Sequence, residues 1–143
     1  MRIRQTIWLL CGMLAACGPS DAPADLDPSE LEVAAKAFVD YSHAFNYSAM
    51  REVATGEFEM IIFGQRFDMD GFEGLLREME ASRDGRPLGT YELEDLNTRI
   101  VGDVGYTSWE SPGWFEGGVF IRSDGRWLAD RAFSVRKDSG GEG

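Results

Sequence analysis

The sequence predicts an α+β fold, with helices gathered ahead of an antiparallel sheet, on three observations. Residues Trp114 to Val135 hold two runs rich in aromatic and β-branched residues on either side of Asp124-Gly125, a pair that tolerates the positive φ of a tight hairpin turn. Upstream, Leu31, Ala34, Ala35, Phe38, Tyr41, Ser42 and Phe45 recur at helical spacing. The element types run helix, short helix, strand, helix and then four consecutive strands, a segregation that favours α+β over a doubly wound parallel sheet.

The first residues have the three parts of an export signal. Arg2 and Arg4 form a cationic start, Ile7 to Leu14 an apolar run, and Ala15 and Ala16 a small-residue end before Cys17. The apolar run is shorter than the roughly 20 residues a spanning helix needs. Leu14-Ala15-Ala16-Cys17 resembles the lipobox of bacterial lipoproteins. That resemblance implies cleavage after residue 16 and acylation of Cys17, which then anchors the chain to a membrane. An Asp after the cysteine tends to retain such proteins in the inner membrane, so Gly18 favours an outer-membrane lipoprotein facing the periplasm. Residues 17–27 are then a lipidated cysteine and tether, extended by Pro19 and Pro23. The expected domain covers residues 28–136, and residues 137–143 form a Gly-rich tail.

Cys11 leaves with the signal and Cys17 carries lipid, so no disulfide is expected and stability rests on the core. Setting aside Arg2 and Arg4, 12 basic residues face 25 acidic ones, a formal balance of −13. Such a surface repels phosphate backbones, which excludes nucleic acid as a partner. With one histidine and no free mature cysteine, no metal site and no cofactor is expected.

Asp27-Pro28-Ser29-Glu30 is a helix start with a cap, a first-turn proline and an acid placed for a capping box. The amphipathic helix it opens is expected over 28–46. Ser48 to Val53 reads as a short helix stopped by Thr55-Gly56, and Phe58 to Phe67 as a strand whose Gly64 marks a turn or bulge. Asp70, with Glu73 three residues on, is expected to cap a helix striped by Phe72, Leu75, Leu76 and Met79 and ending near Ser82. Tyr91 to Val101 is a strand with a change of apolar parity, Gly102-Asp103 turns it into Val104 to Glu110, and Ser111-Pro112-Gly113 leads to Trp114.

This order, together with Val101-Gly102-Asp103-Val104-Gly105-Tyr106 and Asp124-Gly125-Arg126-Trp127 running to Phe133-Ser134, resembles the nuclear transport factor 2-like superfamily. Its members include SnoaL-like cyclases, ketosteroid isomerases and many exported proteins. The resemblance implies a cone-shaped, strongly curved antiparallel sheet wrapped around the N-terminal helices, a pocket at its open end and a homodimer through the sheet. It assigns no chemistry, because the fold hosts unrelated activities as well as binding proteins. The isomerases' carboxylate, tyrosine and protonated-aspartate trio has no match here. The His-Asp pairs of cyclases and dehydratases would need His43, which lies roughly 90° or more from the centre of its helix's apolar face, beside Lys36 and Asp40.

The candidate pocket residues are Tyr41, Phe45, Trp114, Arg131 and Phe133. Strict alternation puts Trp127, Ala129, Arg131, Phe133 and Val135 on one face. If that face is concave, Arg131 is a cation among aromatics that should meet a ligand carboxylate; otherwise it pairs with a sheet glutamate. Tyr41, Phe38 and Phe45 close the cone as pocket wall or as plain core. Trp109 and Trp114 bracket Pro112-Gly113 as a rim, a dimer contact or strand packing. No catalytic residue is assigned. The expected function is an exported, lipid-anchored envelope protein with a non-catalytic small-ligand or protein binding module. The alternative is a SnoaL-like isomerase, cyclase or dehydratase using Glu59 or Asp130 as base and Tyr41 as donor.

Overall fold

The computed structural model describes residues 26–89, 93 and 96–138, so the expected signal, Cys17 and most of the tether lie outside the described residues. The elements are α1 (Pro28–His43), α2 (Tyr47–Glu52), β1 (Ala54–Ile62), β2 (Gln65–Asp68), α3 (Met69–Ser82), β3 (Asn97–Val101), β4 (Val104–Ser111), β5 (Trp114–Ser123) and β6 (Arg126–Arg136). Six strands form one curved, unclosed sheet in the order β2-β1-β6-β5-β4-β3. Four of its five pairings are antiparallel, but β1 runs parallel to β6, so the sheet is mixed. Strand β2, helix α3 and strands β3 to β5 lie between β1 and β6 in chain order, and that long connection permits the parallel pair.

Local chemistry accounts for most boundaries. Asp27 caps α1 by accepting the Ser29 N–H at 2.9 Å, with Pro28 in the first turn. The helix ends at His43, three residues before the expected Phe45-Asn46 end, because Phe45 takes a φ of +55° and Asn46 caps α2. Helix α2 accordingly spans residues 47–52, not 48–53. The single strand expected over 58–67 is a hairpin, β1 to β2, turned at Phe63-Gly64 with φ of +54° and +71°. Asp68, not Asp70, caps α3, its Oδ1 accepting the Gly71 N–H at 2.8 Å. The strand expected over 91–101 is described from Asn97 onward, and residues 90–92 and 94–95 lie outside the described residues. Three turns form where the sequence put them: Gly102-Asp103, Pro112-Gly113 and Asp124-Gly125. Lys137, placed in the expected tail, donates its N–H to the Gly113 carbonyl at 2.9 Å and its ammonium to Glu110 at 2.6 Å.

The core lies between the helices and one face of the sheet. Phe58 on β1, Phe38 on α1 and Phe72 on α3 form an aromatic trio with centroids 5.1 to 6.4 Å apart, joined below by the fully buried Leu31 and Met50. Each such ring brings about 0.5–1.5 kcal/mol per aromatic pair beyond its buried area. Gly105 faces this core, where a Cβ would collide with the Leu31 methyls, so the absence of a side chain lets α1 sit on β4. Among the described residues no element covers the other face of the sheet, which exposes Tyr106, Phe115 and Val135.

One irregularity decides which β6 residues face the helices. Phe120 pairs with Ala129 but Val119 pairs with Arg131, so Asp130 is an extra residue, a β-bulge. Beyond it the parity reverses: Trp127 and Ala129 face the core, and then Ala132 and Ser134 do. The single face expected for Trp127, Ala129, Arg131, Phe133 and Val135 is therefore corrected, because the bulge turns the last three to the uncovered side. Asp130 is held there by the Thr55 hydroxyl, which donates to it at 2.8 Å.

Candidate functional site

At the open end of the cone the two layers part around a cavity of about 270 Å³. Phe38 and Val39 of α1 and Phe72, Leu76 and Met79 of α3 form its helical wall. Met60, Ile62 and Ala132 form the floor from β1 and β6, positioned by the register Met60 to Ala132 and Ile62 to Ser134. Phe63 and Trp114 meet edge to face at 5.6 Å, both lining the cavity. Phe63 is two-thirds exposed and holds a left-handed backbone, an uncommon state for a bulky residue that costs about 1–2 kcal/mol.

Glu116 lines this apolar cavity, and Trp109, Ser111 and Ser134 are among the residues that hold its carboxylate. The Trp109 indole N–H and the Ser111 hydroxyl donate to Oε2 at 3.2 and 2.9 Å, and the Ser134 hydroxyl donates to Oε1 at 3.2 Å. The backbone explains the convergence. The two-residue turn at Pro112-Gly113 sets Ser111 opposite Trp114 and hence Trp109 opposite Glu116, while the bulge at Asp130 brings Ser134 opposite Glu116 on the other side. The three donor residues are each at most 7% exposed, so the carboxylate gives up water only in exchange for fixed hydrogen bonds.

His43 also lines the cavity. Its Nδ1 faces the Gly89 carbonyl at 3.1 Å, and the His43 carbonyl accepts the Leu88 N–H at 2.9 Å. A carbonyl only accepts, so Nδ1 carries a proton and donates it. The expectation that His43 is a surface residue is corrected. It does lie off the core stripe of α1, but Val39 and His43 form a second flank, and the segment after α3 closes over that flank at Leu88 and Gly89.

The five candidate residues part company. Trp114 lines the cavity with its ring at Phe63. Phe133 borders the cavity at its strand position, while its ring packs over Gly117 and against Phe115, 5.8 Å away, on the uncovered side. Tyr41 and Phe45 belong to the core and its margin and do not line the cavity. Arg131 is exposed, with Nε 3.8 Å from Asp130, and stands opposite Glu59 in the sheet register. Neither Glu59 nor Asp130 lines the cavity: Glu59 shares the outer parity of Arg131, and Asp130 occupies the bulge. Among the described residues the carboxylate that does is Glu116, which the sequence reading passed over. The signal was present, since period-two alternation puts Glu116 among Trp114, Gly118 and Phe120, an acid on an otherwise apolar face. Among the described residues no cluster of His, Cys, Asp or Glu fits a metal ion, and no helix is long and apolar enough to cross a membrane.

Solved structures share this architecture. An NTF2-like protein from Cytophaga hutchinsonii superposes with a TM-score of 0.64 at 11% identity, over 78% of this chain and 100% of that one. A candidate dehydratase of the NTF2-like family from Streptomyces avermitilis gives 0.59 at 13% identity, over 78% and 96%. The association domain of CaMKII from C. elegans gives 0.59 at 13% identity, over 76% and 99%. No protein-family model and no curated protein sequence matches the chain. At such identities the likeness is one of fold.

Proposed function

We propose that this domain, nuclear transport factor 2-like in fold, is a small-ligand-binding module carried on an exported, lipid-anchored protein of the bacterial cell envelope. One observation supports the binding half above all: an apolar cavity of about 270 Å³ presents a fixed carboxylate, that of Glu116, in its described wall. Apolar walls give affinity and the few polar groups give orientation. A neutral apolar fluorophore such as N-phenyl-1-naphthylamine should bind and brighten, and Ala132→Trp, which fills the floor, should abolish the signal while the protein stays folded. Unchanged binding in that variant would place the dye elsewhere and remove the support.

The anchoring half rests on the lipobox-like Leu14-Ala15-Ala16-Cys17. Cys17→Ser should move the protein from the membrane to the soluble fraction, and a mutant that still sediments with membranes would refute lipidation at Cys17. A second copy docking on the uncovered sheet face belongs to the same reading, favoured by exposed Tyr106, Phe115 and Val135 and by the likeness to an association domain. Sedimentation of the Phe115→Glu variant as a monomer, against a wild-type dimer, tests it. The second functional reading is a dehydratase or isomerase. His43 favours it, since an imidazole and a carboxylate line one apolar cavity.

A further inference from the structure

We infer that two copies pack sheet to sheet about a two-fold axis running along the strands between β5 and β6, so that the basic edge of one copy lies over the acidic edge of the other. This rests on the reading of the outer sheet face as the docking surface for a second copy. The strand register carries one row across all six strands: Arg99 of β3, Tyr106 of β4, Val119 of β5, Arg131 of β6, Glu59 of β1 and Asp68 of β2. Phe58 and Thr107, beside Glu59 and Tyr106 in the chain, are buried on the helix side, so the row points outward. Arg99, Arg131 and Asp68 are exposed, and Tyr106 is 46% exposed. The row is polarised, with a guanidinium at the β3 end and two carboxylates at the β1 and β2 end. One of the Asp68 oxygens accepts the Gly71 N–H, which orients that carboxylate and leaves its charge in place.

A sheet face can meet its own copy with aligned strands about either of two kinds of two-fold axis, across the strands or along them. An axis across the strands, laid on this row, stacks every residue on itself: Arg99 on Arg99, Arg131 on Arg131 and Glu59 on Glu59. Laid on the next outward row, which ends in Asn97 and Arg66, it stacks Arg66 on Arg66 and sets Arg131 on Val135. Like charges brought together across an interface repel strongly. An axis along the strands reverses the row instead. Passing through the middle of the six strands, where overlap is greatest, it sets Arg99 on Asp68, Tyr106 on Glu59 and Val119 on Arg131 of the other copy. The same axis lays exposed Phe115 on exposed Val135 and gives Arg66 an uncharged neighbour, Asn97. The face is large enough: six strands about 4.8 Å apart, over eight residues at about 3.4 Å each, span roughly 650 Å², close to the ~800 Å² each partner buries in a standard interface.

The test is the dimer dissociation constant of the full-length protein, read by sedimentation over graded concentrations at about 0.15 M salt, where charges beyond about 8 Å are screened and only close pairs count. The two-fold repeats every contact, so each substitution acts twice. Arg99→Gln should weaken the dimer at least threefold and Arg99→Glu at least tenfold. Asp68→Asn, which keeps an oxygen to cap α3, should recover at least threefold of the loss when added to Arg99→Glu. An axis that stacks Arg99 on itself predicts the opposite sign, because Arg99→Gln would then relieve a repulsion and tighten the dimer. Arg99 stands exposed on an edge strand, so urea unfolding of Arg99→Gln should match that of the wild type. If Arg99→Glu does not fold, the sign of the Arg99→Gln effect decides alone. A dimer that Arg99→Gln tightens or leaves unchanged overturns the inferred axis, while its loss in Phe115→Glu keeps the docking face. A protein monomeric at every concentration, or a dimer that survives Phe115→Glu, removes both readings.

Discussion

Replacing Glu116 separates its role as acceptor from its role as charge. In Glu116→Leu the Trp109 N–H and the Ser111 and Ser134 hydroxyls lose the acceptor they point at, in residues at most 7% exposed. An orphaned buried donor costs about 1–3 kcal/mol. The hydroxyls can turn to other acceptors but the indole N–H cannot, and the charge no longer has to be buried, which offsets part of the loss. The expected net cost is about 2–4 kcal/mol, at about 4 °C per kcal/mol a fall in Tm of about 8–16 °C. Glu116→Gln behaves differently. Its amide oxygen still accepts from Trp109 and Ser111, and the Ser134 hydroxyl rotates to accept from the amide N–H, so the loss should stay within about 1 kcal/mol. Thermal unfolding followed by circular dichroism, with urea unfolding to confirm an unchanged m value, measures both. Leucine as stable as glutamate, or glutamine as damaging as leucine, would refute the hydrogen-bonding account.

Three further outcomes follow from other parts of the fold. A Cβ at Gly117 would collide with the Thr107 backbone oxygen and with Phe133 Cζ, so Gly117→Ala should cost about 2–3 kcal/mol in urea unfolding, whereas Gly64→Ala at a turn open to solvent should cost only the strain of its positive φ, about 1 kcal/mol. Burial, and then the 2.6 Å hydrogen bond to Glu80, push the Tyr47 hydroxyl up to about 12. The folded value lies above the unfolded one near 10, so the stability it confers is complete below about pH 10 and is lost as pH rises towards 12. Absorbance at alkaline pH should show one tyrosine ionising late, and Tyr47→Phe should remove that late step; a single early transition for every tyrosine would contradict it. Hydrogen bonds from Arg77 and then Arg51 hold the Glu73 carboxyl below the usual carboxylate range, so this contribution is complete above that range and lost as pH falls through the lowered value. Glu73→Gln should flatten the acid limb of a stability-against-pH curve, and an unaltered limb would count against it.

What the sequence determined by itself is local. Period-two and 3.6-residue patterns marked the strands and helices. Asp27 and Pro28 started α1, and turn chemistry fixed Gly102-Asp103, Pro112-Gly113 and Asp124-Gly125, because a positive φ or a fixed proline ring leaves a short backbone few alternatives. The order of elements followed, and with it the α+β fold and the resemblance to nuclear transport factor 2-like proteins that the superpositions share. Even the pairing of Trp109 with Glu116 was implicit in the turn between them. Tertiary structure decided the rest. The Asp130 bulge reversed the parity of β6, sending Arg131 and the Phe133 ring outward and Ser134 inward to Glu116, and no alternation within the strand encodes it, since it depends on Thr55 and on β1 lying alongside. His43 entered the cavity for a similar reason. A helix's own periodicity tells which flank it buries in its main core, but the second flank became a cavity wall only when Leu88 and Gly89, some 45 residues later in the chain, closed against it.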